Sequence, residues 1–307
     1  MVKNKLEIRI CGLQRSGNHA ITNWIINQYR GSRICFLNNV RHGDYNPFHT
    51  REQVYLYNFK GFPNGMAFPN RGVRIPDELI KSSKDVLIYS YEDDRRKLVD
   101  GMPFLRGVYS KEFEARRGEY LGESERFLDV VVVRDPYNLL ASRIKRIDKL
   151  TGINDVQLII EFIKEILYEA IMFEEEKDPK SKKLIIKYNQ WFSDKNYRRF
   201  LSEKIGGKFN DSSLHEVLSV GGGSSFDGVN FGKLKIQDLW YKRRKLLQVE
   251  TYQNIGSYLS RFFPRRTEEM QVLERWKVIE DSQMEAIFSD PEVAELSKRL
   301  FGDILKP

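Results

Sequence analysis

The sequence predicts an α/β domain, with a parallel β-sheet flanked by helices and a helical C-terminal part. Three observations carry this. Strand-like and helix-like runs alternate over roughly the first 190 residues. One run, Val130 to Val133, is four valines in succession, as in a strand buried on both faces of a parallel sheet. The stretch after Asn154 repeats apolar residues at helical spacing, through Leu158, Ile159, Phe162, Ile163, Ile166, Leu167 and Ala170. Such alternation implies right-handed crossovers between parallel strands.

Five short, mostly apolar runs are expected strands: residues 6–11, 33–37, 86–91, 127–133 and 183–188. The first leads into a glycine-flanked turn and then a helix whose apolar face includes Ile21, Trp24 and Ile25. Residues 38–76 are polar and rich in Gly, Pro and Asn, with one strand-like insert at 54–59, so they read as a long functional loop. After Tyr188 the pattern turns helical. A Gly-Gly-Gly run at 221–223 and a basic segment at 233–266 precede a last helical stretch at about 283–301. The expectation is a single domain over 1–307, with a basic helical insertion at about 229–268.

The chain has 307 residues, 41% hydrophobic and 31% charged, which excludes a disordered or membrane-embedded protein. No apolar run approaches the ~18–20 residues a membrane helix needs. Met1-Val2-Lys3-Asn4-Lys5 lacks the apolar core of a secretory signal, so a cytoplasmic location is expected. Cys11 and Cys35 are too few for a disulfide framework or a zinc site and read as reduced core residues. The formal charge of +8 suits an anionic partner: a nucleotide, a polyanionic sugar or a nucleic acid.

Gly12-Leu13-Gln14-Arg15-Ser16-Gly17-Asn18-His19 joins the first strand to its helix. Two glycines flanking four residues let backbone N–H groups wrap a phosphate at a helix N-terminus. A nucleotide kinase continues with Lys and then Ser/Thr, the second holding magnesium. Here Asn18 and His19 follow, and the cation sits inside the loop at Arg15. That combination fits a donor whose leaving group needs charge neutralisation without a metal. A plain strand–helix turn with an exposed arginine accounts for the same residues.

The four-valine strand ends in Arg134-Asp135-Pro136, with Asp135 a natural N-cap and Pro136 a natural first helical residue. Ser142 lies seven residues past Asp135, close to two turns, and so returns to the face of the cap. Arg134 and Ser142 can therefore converge on one anion, the first with a planar fork and the second with a hydroxyl.

At these two places the chain resembles the PAPS-dependent sulfotransferases, PAPS being 3'-phosphoadenylyl sulfate. Gln14-Arg15-Ser16-Gly17-Asn18-His19 is similar to their 5'-phosphosulfate loop, usually Pro-Lys-Ser-Gly-Thr-Thr, with Arg for Lys in several carbohydrate sulfotransferases. Arg134, with Ser142 eight residues on, resembles their 3'-phosphate site at the same spacing. The resemblance implies a P-loop-like sulfotransferase fold, PAPS as donor, PAP as product and no metal. It also implies that Arg15, Ser16, Gly17, Asn18 and His19 hold the phosphosulfate. Tyr188 stands where the family has a tyrosine near the adenine, and Ser224-Ser225-Phe226 resembles a Thr-Ser-Phe stretch that touches that base. Arg275-Trp276-Lys277 resembles the Asp-Trp-Lys end of a C-terminal PAPS-binding loop. The family's Arg-Lys-Gly before that loop is missing, and about 45 residues separate Phe226 from it.

The acceptor side is less legible. An acceptor hydroxyl, or less readily an amine, must lose its proton to a general base as it attacks sulfur. Glu92, at the end of the third strand, stands where cytosolic sulfotransferases have a catalytic histidine, and glycosaminoglycan sulfotransferases use a glutamate. His42 and Asp44 are the alternatives, while His19 and Arg15 face the transferring group. The acceptor class expected is a small molecule or an oligosaccharide, with no membrane partner. Lys242-Arg243-Arg244-Lys245 and Arg265-Arg266 read first as a solvated helix face, and otherwise as a lid or an anionic-sugar groove. The rival readings are a P-loop kinase or ATPase, a non-catalytic PAP-binding protein, and a nucleic-acid-binding protein. The last lacks any recognisable nucleic-acid-binding motif.

Overall fold

The computed structural model describes residues 3–41, 46–68, 73–93, 98–99, 102–103, 107–150, 156–176, 182–214 and 272–302. Its strands are β1 (Lys3–Gly12), β2 (Ile34–Asn38), β3 (Gln53–Tyr57), β4 (Gly65–Phe68), β5 (Lys84–Tyr91), β6 (Leu98–Val99), β7 (Met102–Pro103), β8 (Glu123–Val133) and β9 (Lys183–Lys187). The α-helices are α1 (Asn18–Asn27), α2 (Pro47–Thr50), α3 (Asp77–Lys81), α4 (Lys111–Leu121), α5 (Pro136–Leu150), α6 (Val156–Glu175), α7 (Tyr188–Ser193), α8 (Lys195–Ile205), α9 (Asp281–Phe288) and α10 (Pro291–Phe301).

Seven strands form one sheet in the order β4-β3-β2-β5-β1-β8-β9. From β2 to β9 every neighbouring pair is parallel, and β3 and β4 extend the sheet antiparallel. β1 is the middle one of the five parallel strands, with Leu6, Ile8 and Ile10 buried on one face and Cys11 on the other. The first face is covered by Ile21, Trp24 and Ile25 of α1 with Trp191, Leu201 and Ile205 of α7 and α8. The second is covered by α4, α5, α6, α9 and α10, through residues such as Phe113, Leu140, Ile163, Ile287 and Leu300. The stripe expected after Asn154 is the buried face of α6.

β1 also carries charge into the second core. Arg9 is buried, with Nη2 donating to Asp129 Oδ2 at 2.7 Å and to Glu114 Oε1 at 2.8 Å, and Nη1 donating to Val108 O at 2.9 Å. Both cysteines are buried free thiols. Desolvation pushes Cys11 up to about 12 and Cys35 up to about 11, so neither forms a reactive thiolate at neutral pH.

The structure redraws several boundaries. Residues 38–76, expected as one loop with a single strand, contain α2, β3 and β4; β3 ends at Tyr57 because Asn58 turns into the left-handed region at φ 58°. The last helical stretch is two helices, because Asp290 accepts from the Glu292 and Val293 N–H groups and starts α10 afresh. Tyr188 opens α7 instead of closing β9. β8 starts four residues before the expected 127, since polar residues 123–126 pair with the start of β1. The basic segment 233–266 lies outside the described residues. Among the described residues, no helix is long and apolar enough to cross a membrane.

Candidate functional site

In a doubly wound sheet, ligands bind outside the carboxyl ends of the strands where the crossovers diverge. Here that point lies at β1 and β8. The chain leaving β1 enters α1 on one face and continues to β2, whereas the chain leaving β8 enters α5 on the other face and leads on to β9. The two loops singled out in the sequence, after Gly12 and after Val133, both open there.

The first loop is held by its own atoms. Leu13 O accepts from Ser16 N at 3.1 Å, Ser16 Oγ at 2.6 Å and Asn18 Nδ2 at 3.1 Å. Arg15 and Gly17 take left-handed backbone, at φ 75° and 93°. No side chain caps α1, so its first N–H groups remain available to an anion. Gly12 lacks a side chain for a reason: a Cβ there would sit 2.2 Å from Asn18 Oδ1. Asn18 thus folds beneath the loop, and its Nδ2 also donates to Glu92 Oε1 at 3.0 Å. His19 Nε2 lies 3.9 Å from the same carboxylate oxygen. Glu92 therefore faces the loop from the end of β5, as its sequence position suggested.

Gly17 lies against the Tyr188 ring, which a Cβ would meet at 2.2 Å. Left-handed backbone costs a residue with a Cβ about 1–3 kcal/mol. Gly17→Ala is therefore expected to lose at least about 1 kcal/mol of stability in urea denaturation and to dislodge Tyr188. Unchanged stability would mean that the ring does not rest on the loop.

The second loop brings Arg134 and Ser142 together. Asp135 caps α5, accepting from Asn138 N at 2.9 Å. Arg134 Nη1 lies 3.3 Å from Ser142 Oγ and donates to Arg15 O at 3.0 Å, while Nη2 donates to Val272 O at 3.1 Å. Its guanidinium carbon stands 5.1 Å from the Tyr188 ring centroid. Ser142 Oγ donates to Asn138 O at 2.7 Å, which turns its lone pairs towards the arginines. Arg275 approaches from the far end of the chain, its Nη1 donating to Ser142 Oγ at 3.0 Å and its backbone N–H to Asn138 Oδ1 at 2.6 Å. Two guanidinium groups meeting at one hydroxyl oxygen form an arrangement that an anion stabilises.

Arg15, Ser16, Gly17, Asn18, His19, Glu92, Arg134, Ser142, Tyr188 and Arg275 are thus brought to one end of the sheet. Trp276 and Lys277 are not drawn into that cluster. Trp276 packs edge-on against Phe288 and lines a neighbouring cavity of about 550 Å³, whose floor includes Asp135 and Asn138; Lys277 pairs with Glu274 at 2.6 Å. Ser224, Ser225, Phe226, His42 and Asp44 lie outside the described residues. Sequence reasoning missed Asp93, Asn138 and Arg143, which bind the loops to one another. Among the described residues no group of three or more His, Cys, Asp or Glu side chains forms a metal cluster.

No family model matches this sequence, and no curated protein matches it. Solved structures similar to it include mouse sulfotransferase SULT7A1 complexed with PAP, at 12% identity and TM-score 0.38, covering 92% of this chain and 89% of that one. The sulfotransferase domain of the Synechococcus PCC 7002 olefin synthase is similar at 9% identity and TM-score 0.46, over 99% and 98% of the two chains. Retinol dehydratase in complex with retinol and PAP is similar at 11% identity and TM-score 0.38, over 98% and 83%.

Proposed function

We propose that this chain is a sulfotransferase that moves a sulfuryl group from PAPS to an acceptor hydroxyl, releasing PAP. The observation that carries the reading is the meeting of Arg134, Ser142 and Arg275 beside the loop of Arg15 to Gly17. Two anion-holding ends at one switch point suit a nucleotide phosphorylated at both ends. The loop N–H groups and Arg15 take the 5'-phosphosulfate, Arg134, Ser142 and Arg275 take the 3'-phosphate, and Tyr188 lies beside the base. Glu92 accepts the acceptor's proton as the new O–S bond forms and the bond from sulfur to the 5'-phosphate oxygen breaks. Arg15 and His19 stabilise the charge that moves onto that leaving oxygen and the sulfuryl oxygens. Carbohydrates and small alcohols are the acceptor classes to screen with labelled PAPS.

Asn18 and His19 stand where a nucleotide kinase has its lysine and its magnesium-binding hydroxyl. Asn18 gives both of its amide protons to protein oxygens, Leu13 O and Glu92 Oε1. Turnover is therefore expected to survive excess EDTA unchanged. Loss of activity that Mg²⁺ alone restores would put the kinase reading first.

A further inference from the structure

Behind the candidate site runs a second set of contacts, buried at Asp93 and Arg143 and half-buried at Gln14, displaced from the first by one residue in each element. Asp93 follows Glu92, Gln14 precedes Arg15, and Arg143 follows Ser142. These three form one unit. Asp93 Oδ1 accepts from the backbone N–H of Gln14 at 2.5 Å, and its Oδ2 accepts from Arg143 Nη2 at 2.7 Å. The amide of Gln14 returns to Asp93 O at 2.8 Å. Asp93 is 3% exposed and Arg143 is 7% exposed. Resting on the sulfotransferase reading, we infer that Asp93 is a positioning residue, which with Arg143 fixes the 5'-phosphosulfate loop against both Glu92 and the 3'-phosphate site.

The physical case rests on what a buried ion pair is worth. Replacing such a pair by apolar residues of the same volume is often neutral or stabilising, so stability alone gives little reason to keep it. What this pair does is directional. One carboxylate spans the ends of β5 and β1 and the second turn of α5, the three elements that present base, loop and hydroxyl. It acts on the loop one residue before Arg15, whose left-handed φ of 75° needs a fixed neighbour to persist. A displacement of about 1 Å at a reacting centre is enough to cost 10²-fold in rate, so a strut here has consequences that a surface pair lacks.

Calorimetry with three probes isolates the role without an acceptor. Adenosine 5'-monophosphate tests the loop, adenosine 3'-monophosphate tests the Arg134 site, and PAP tests both together. Asp93→Asn is expected to weaken PAP and the 5'-monophosphate by about 10-fold, the low end for a charged hydrogen bond, with the 3'-monophosphate within about 2-fold of wild type. Arg143→Met should act in the same direction, and Arg143→Lys, which keeps a cation within reach of Asp93, should recover most of the loss. The Arg143 pair also decides the matter if Asp93→Asn does not fold. Equal weakening of all three probes, no weakening at all, or identical Met and Lys variants would overturn the positioning role. A wild-type protein that binds no PAP would instead overturn the sulfotransferase reading, and this inference with it.

Discussion

Glu92→Gln is expected to lower kcat by roughly 10²–10⁴-fold, the usual share of general-base catalysis, while PAP affinity stays near wild type. Glutamine keeps the shape of the side chain and keeps an oxygen that Asn18 Nδ2 can reach, as it reaches Glu92 Oε1 at 3.0 Å. The loop and α1 therefore stay in place, and only the capacity to accept a proton is lost. PAP binding reads the anion-holding ends, to which Glu92 contributes no donor. The comparison requires saturating acceptor, so that kcat reports the bound complex. A Gln variant with near-normal kcat would move the role to His42 or Asp44.

The second large effect concerns the 3'-phosphate. Adenylyl sulfate and PAPS differ only by that group, so their affinity ratio isolates whatever reads it. Arg134→Ala should weaken PAPS by roughly 10–150-fold, the equivalent of about 1.5–3 kcal/mol for a charged hydrogen bond, and adenylyl sulfate far less. Arg134 also donates to Arg15 O, so part of its loss could fall on the shared phosphosulfate end. Arg275→Ala separates the two contributions, because its guanidinium reaches Ser142 at 3.0 Å from the C-terminal side. It should reproduce the selective loss. Arg15→Ala should weaken both donors, since its target is common to them. Desulfated analogues in a calorimeter are sufficient. Equal losses for both donors with Arg134→Ala and Arg275→Ala would mean that these arginines support the fold instead of reading the phosphate.

How much of this was legible in the sequence follows from the range of each interaction. The five parallel strands were visible because burial on both faces leaves mostly apolar runs, the clearest being Val130 to Val133. The pairing of Arg134 with Ser142 was visible because helix geometry fixes where a residue two turns on must point. β3 showed as the strand-like insert at 54–59, whereas α2 and β4 were hidden among polar residues, since short elements at the side of a sheet need only partial burial. The buried charge of β1 was hidden too: Arg9 is tolerable in a central strand only because Asp129, Glu114 and Val108 O surround it, and none is its neighbour in sequence. The same applies to Asp93, whose partners Gln14 and Arg143 lie 79 and 50 residues away. No local pattern encodes a contact of that kind.

The place of β1 between β5 and β8 has a consequence for how the molecule is made. β1 leaves the ribosome ahead of the other strands of this sheet, yet both of its neighbours come much later: Asn4 pairs with Lys84 on one side, and Lys3 with Glu123 on the other. At roughly 5–20 residues per second, the wait between Lys3 and its β8 partner is on the order of 6–24 s. Until β5 emerges the glycine-flanked turn after Gly12 has a helix to follow it but no paired strand beneath it, and until β8 emerges β1 stays open on its other side. Pairings this distant carry a high loop-closure cost and form slowly. The strand of this sheet that is synthesised first thus leads into one of the last parts to acquire its working shape, and nascent chains halted before β8 should be unable to retain nucleotide.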